Sequence, residues 1–136
     1  MGSPTVRRPV RPRRARRDRG MATVEVVGYM ILVIGLLFLG VQMVMWGAAG
    51  YGARLAADRA AQAARVYGST AEAGQAEANL MLTSVVGSKL RDAQVTVTRT
   101  ATTVTVRITG HAQQVIPGFD PPVSVTVSVP VERTAT

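Results

Sequence analysis

Apolar positions run from Val26 to Ala53 without a single charge. A helix rises about 1.5 Å per residue, so a hydrocarbon layer of ~30 Å takes about 20 residues. Val26–Met45 supplies that length, and its one strongly polar position is Gln42. Trp46 and Tyr51 follow where an outer interfacial belt would sit, and Tyr29 lies near the inner edge. A chain of 136 residues could hardly bury such a helix in a soluble core. The pattern therefore predicts a membrane span. Helical spacing continues beyond it, and Ala49, Ala53, Ala57, Ala60 and Ala64 share one face. Side chains this small let a neighbouring helix approach closely, although high alanine propensity alone also explains the composition. One helix from about Ala22 to Tyr67 is expected, projecting beyond the membrane and ending at Gly68.

Ser69-Thr70-Ala71-Glu72 reads as a capping box, with Ser69 as the cap and Glu72 reaching back. Ala76, Leu80, Val85, Val86 and Leu90 predict a second helix over roughly 70–91. Beyond Arg91 the period becomes two. Val95 and Val97 alternate with Thr, then Val104, Val106 and Ile108 with Thr and Arg107, then Val123 to Val131 with Ser, Thr and Pro130. These are three half-buried strands, joined by a turn at Arg99–Thr102 and a rigid loop at Pro117–Pro122. The expected fold is α+β and membrane-anchored: a long N-terminal transmembrane helix extended outside the membrane, then a second helix packed on a three-stranded antiparallel sheet. Three segments follow: a basic leader at 1–20, a transmembrane and projecting helix at 21–67, and a small extracytoplasmic α+β domain at 68–136.

Charge changes the picture at one end. Residues 1–20 hold eight arginines against Asp18 alone, a net +7 out of the chain's +8. The Arg/Pro-rich stretch can enter no core and reads as disordered. A nucleic-acid-binding domain would spread its basic residues over a folded face. An arginine run beside an apolar span instead marks the cytoplasmic side, so the C-terminal domain is expected outside. The chain has no cysteine and one histidine, His111, which reads as a strand or loop residue. No catalytic, cofactor or metal motif is found, so neither enzyme activity nor a small-molecule substrate is expected. Asp58, Arg59 and Arg65 read as a solvated helix face.

The junction of tail and span is the informative place: Arg19-Gly20-Met21-Ala22-Thr23-Val24-Glu25. Glu25 is the only charge adjoining the span. A carboxylate carried into the membrane costs about 2.5–3.5 kcal/mol on insertion scales, and the next cation along the helix is Arg54. Cleavage after Gly20 would place the new Met21 ammonium one helical turn from Glu25, in the same chain or a neighbour. It would also free the helix from its arginine tail.

A basic leader ending in Gly20, Glu25 at the fifth position after it, and a long apolar segment resemble the prepilin peptidase signal of type IV pilins. With the Ala/Arg-rich stretch Ala53–Gly68 and a small β-rich end, the chain is similar to the TadE-like minor pilins of tight-adherence (Flp-type) pili over about residues 15–70. It departs from that pattern in having Val26 where an aromatic is usual, no proline in Met30–Val33, and Gln42 where a second glutamate is common. The resemblance implies a bacterial cytoplasmic-membrane protein, processed at Gly20–Met21 by a prepilin peptidase. It implies as partners the membrane and other pilin or pilus-assembly subunits, with Glu25 acting in assembly and the chain reaching surface pili. Two rivals stand beside it. One is an unprocessed bitopic anchor displaying a small binding domain. The other is a secretory signal cut at Gly47-Ala48-Ala49, although this apolar run exceeds the usual ~7–15 residues.

Overall fold

In a computed structural model, residues 1–5 and 17–133 are described. The stretch 6–16, most of the expected disordered leader, lies outside them. Helix α1 spans Arg17–Arg65, so it starts before Ala22 and ends two residues short of Tyr67. The chain divides into two compact units, Met1–Leu37 and Phe38–Thr136. The 21–67 segment contributes to both.

In the first unit, α1 is exposed on every side from Gly20 to Leu37. Large apolar side chains follow one another there around the whole helix, with no stripe to turn inward. A helix apolar all round needs an apolar surrounding. Among the described residues, α1 is the one helix long and apolar enough to cross a membrane.

In the second unit, α1 shrinks. Ala49, Ala53, Ala56, Ala57, Ala60, Ala61 and Ala64 are completely buried and form one core with Val104, Val106 and Ile108. Alanine keeps the helix axis close, and the branched strand side chains fill the space. Helix α2 spans Ala71–Met81, and the strands β1 (Leu90–Arg99), β2 (Thr103–Ala112) and β3 (Pro122–Pro130) form an antiparallel sheet in that order. Register stacks the apolar face, with Val97 beside Val106 and Val106 beside Val127. The α+β architecture is thus as expected, with α2 contacting β1. The expectation gave the apolar face to α2 alone, whereas the alanines of α1 share that core.

Three local expectations are corrected. Thr70, not Ser69, caps α2: its Oγ1 accepts from the Ala73 N–H at 3.3 Å. Ser69 Oγ instead donates to the Ala63 carbonyl in the last turn of α1, at 2.7 Å. Glu72 consequently sits one position too early to reach back. Its own backbone N–H, and then the Thr70 hydroxyl, hold its carboxyl below the usual value. Second, α2 stops at Met81 and does not reach residue 91. A π-helical turn at Leu82–Val86 and a 3₁₀ turn at Gly87–Lys89 lead into β1. Third, Ala76, Leu80 and Val85 are exposed, and α2 buries Gly74 and Ala78 instead.

Gly74 has a clear reason. A Cβ there would lie 2.9 Å from Ala64 Cβ, 3.0 Å from the Ala60 carbonyl oxygen and 3.2 Å from Val97 Cγ1. The carbonyl belongs to α1 and cannot swing aside. Placing Ala in a helix normally gains up to ~1 kcal/mol over Gly, yet overpacking costs ~1–3 kcal/mol. Gly74→Val should therefore lower stability by about 3 kcal/mol, read by chemical unfolding of the detergent-solubilised chain. Wild-type stability in that variant would mean that α2 does not pack this closely.

Both sheet edges are irregular. A bulge interrupts β1 between Arg91 and Gln94, where Asp92 takes a φ of 51°. Strand β3 begins and ends with proline. The β1–β2 turn is closed by Thr100, whose hydroxyl accepts from the Thr103 N–H at 3.0 Å. In the β2–β3 loop, Pro117 and Gly118 occupy the centre of a turn closed by the Phe119 N–H on the Ile116 carbonyl, at 3.1 Å. Gly118 has a φ of 81°, the positive value a type II turn requires at this position.

Candidate functional site

Gly20 and Met21 lie within α1 near its start, both exposed, and among the described residues nothing from outside the local helix backbone comes within 4 Å of where a Cβ on Gly20 would sit. Glycine is a weak helix former, and its bond to Met21 lies close to the start of α1. Glu25 stands one turn further on. Its Oε1 accepts a hydrogen bond from the Tyr29 hydroxyl at 3.2 Å. This partner was missed in the sequence although the i, i+4 spacing was there to be read. Tyr29 gives the carboxylate one neutral donor, and among the described residues Glu25 forms no ion pair.

The five alanines singled out for helix packing are all fully buried. At Ala60 and Ala64 the neighbouring helix is the chain's own α2, approaching through Gly74.

A second constellation lies where the apolar run ends. Gln42 is completely buried. Its Oε1 accepts from the backbone N–H groups of Val115 at 2.7 Å and Ile116 at 3.0 Å. Its Nε2 donates to the Gln113 carbonyl at 3.2 Å. One turn on, Trp46 Nε1 donates to the Pro122 carbonyl at 3.1 Å. Loop 113–122 is therefore pinned to α1 at both ends by side chains from the apolar run. The sequence offered Gln42 only as a polar interruption. Its partners are more than 70 residues away, so no local pattern announces them.

A third set closes the far end of α1. The Arg99 guanidinium donates to the carbonyls of Ala64, in the last turn of α1, and of Val66, just beyond it. A cation there satisfies orphan carbonyls and complements the helix dipole. Arg65, read as solvated, pairs with Glu132 at 3.0 Å, and the Glu132 N–H donates to the Arg65 carbonyl. Both side chains are substantially exposed, so the pair itself contributes little; the backbone bond fixes the chain after β3.

No metal centre emerges, since no three His, Cys, Asp or Glu side chains gather among the described residues. His111 ends near Asp120, with Nε2 3.9 Å from Oδ2, and Asp120 also pairs with Arg91. Comparison with protein-family models, curated proteins and solved structures finds no match. The residues themselves must carry the functional reading. They sort into a glycine–glutamate junction at Gly20–Glu25, a bare apolar helix, and a small domain fastened to the helix from Gln42 onward.

Proposed function

We propose that the chain is a pilin-like subunit of the TadE-like kind. A prepilin peptidase cuts it after Gly20, and it takes part in assembling a tight-adherence type IV pilus. The carrying observation is the junction itself: an arginine run, Gly20, and Glu25 at the fifth position after it on a helix whose next residues are bare and apolar. Before processing, the arginine flank holds that side in the cytoplasm and the domain outside, across the cytoplasmic membrane. Afterwards, the Met21 ammonium and Glu25 form complementary charges on one helix face, and the bare half of α1 can exchange lipid for the helices of other subunits.

The hydrogen bonds of Gln42 and Trp46 weigh against the signal-peptide reading. A cut after Ala49 would remove both residues from the domain they fasten and expose its alanine core. The unprocessed anchor stays as the second reading, since it shares all of this geometry except the cut.

The mature N-terminus decides between them. Mass spectrometry of protein from a pilus-forming bacterial host should find Met21 first, and Gly20 replaced by a bulky residue should leave the longer precursor. A start at Met1 or Gly2 in the wild type would establish the anchor, and a start at Gly50 the secretory signal.

A further inference from the structure

We infer that loop 113–122 rests in the lipid headgroup layer on the outer face of the membrane, with Phe119 as its inserting side chain. The inference depends on the proposed membrane span. It starts from where the loop is held. Gln42 and Trp46 fasten it alongside the stretch of α1 that still exposes Phe38, Leu39, Val41, Met43 and Val44. Those side chains need an apolar surrounding, so a loop at their level cannot stand far from lipid. Length agrees. Measured from Val26, ~30 Å of helix ends at Met45, which puts Gln42 within one turn of the outer boundary and Trp46 at it.

The burial of Gln42 follows from this position. At the edge of the hydrocarbon its amide could not rely on water, and an unpaired buried amide costs several kcal/mol against an apolar surrounding. The loop backbone supplies all three partners instead. In return, Gln42 satisfies N–H and C=O groups of the loop that lipid could not.

Loop composition suits an interface. Phe119 is a large apolar side chain left 43% exposed. Lys89 adjoins the loop, its carbonyl accepting from the Gln113 N–H at 3.0 Å. Its side chain is exposed, and so is that of Arg91, which pairs with Asp120. An aromatic side chain at headgroup depth, next to cations that phosphate attracts, is the pattern of an interfacial anchor.

The chain lacks cysteine, so single cysteines can carry a spin label cleanly. The full-length protein is reconstituted in vesicles of phosphatidylcholine and phosphatidylglycerol, labelled singly at Phe119→Cys, Ala101→Cys or Leu32→Cys. Ala101 lies in the β1–β2 turn at the opposite end of the sheet and serves as the water reference. Leu32 lies mid-span and serves as the lipid reference. Accessibility to dissolved oxygen and to a water-soluble nickel chelate is then compared. The label at 119 should be shielded from nickel several-fold more than that at 101, and less than that at 32. If 119 matches 101 while 32 is buried in lipid, the loop inference fails and the span stands. If 32 is as open to nickel as 101, the span fails and takes the inference with it.

Discussion

Gln42→Leu should loosen the outer domain while leaving membrane insertion intact. Leucine has a similar volume and is more apolar, so the span can only gain from the change. The loss falls on loop 113–122. Three hydrogen bonds disappear, and the Val115 and Ile116 N–H groups lose their acceptor together. An unsatisfied buried donor costs ~1–3 kcal/mol. Both residues are half-buried, so the expected destabilisation is about 3 kcal/mol, below the full cost of two buried orphan donors. That is a large fraction of the 5–15 kcal/mol typical of a small domain. Chemical unfolding in detergent reads the stability, and limited proteolysis reads the loop, which should be cut within 113–122 well before the wild type. Equal stability and equal protection would show that the Gln42 bonds are dispensable.

Glu25→Val should have the opposite profile, with a sound fold and failed assembly. Among the described residues, the hydrogen bond that Glu25 makes is to Tyr29, one turn away and also exposed. Removing the carboxylate should ease insertion, by up to the ~2.5–3.5 kcal/mol that a charged residue costs deep in the span, and by less at its edge. If the carboxylate pairs with the ammonium of Met21, in its own or a neighbouring subunit, its loss removes the contact that sets helix register. Incorporation into pili should fall sharply, subunits should accumulate in the membrane, and cells should adhere poorly. Tyr29→Phe separates the two partners: it deletes the hydroxyl, keeps the charge, and should assemble nearly as the wild type. Quantifying the subunit in sheared filaments and in membranes tests both variants. Equal yields for wild type and Glu25→Val would remove the assembly role and favour the unprocessed anchor.

What could be read from the chain beforehand depended on how far apart the partners lie. Strand alternation is a neighbour-to-neighbour signal, and the valines of β2 and β3 announced their face without ambiguity. The end of α2 was harder, because Val85, Val86 and Leu90 prolong a helical stripe that the backbone does not follow. The hydroxyls of Thr83 and Ser84 bond back to the carbonyls of Asn79 and Leu80. Such bonds compete with the regular helical ladder, and Gly87 takes a φ of 52° just after. The Thr-Ser-Val-Val run was the cue. Ser69 and Thr70 are both good caps, and choosing between them required knowing that Ser69 faces Ala63. The Gln42 constellation was out of reach, since it joins positions more than 70 residues apart. Glu25 was legible as an isolated charge, and only its Tyr29 bond was overlooked.

The two blunted sheet edges constrain how copies of this chain can live at high density. The Val131 N–H donates to Thr102 and the Ala112 N–H to the Pro121 carbonyl. The odd positions of β3 thus bond inward, and the even ones turn their backbone groups to the free edge. On that edge Pro122 and Pro130 have no N–H to offer, and the Pro122 carbonyl is already taken by Trp46. Only Ser124, Thr126 and Ser128 remain as a short template. The opposite edge is broken by the β1 bulge. Strand addition from one copy to the next, the route by which exposed edges seed irreversible aggregation, is thereby limited to short stretches. A crowded population of these molecules is therefore less prone to fuse through its strands.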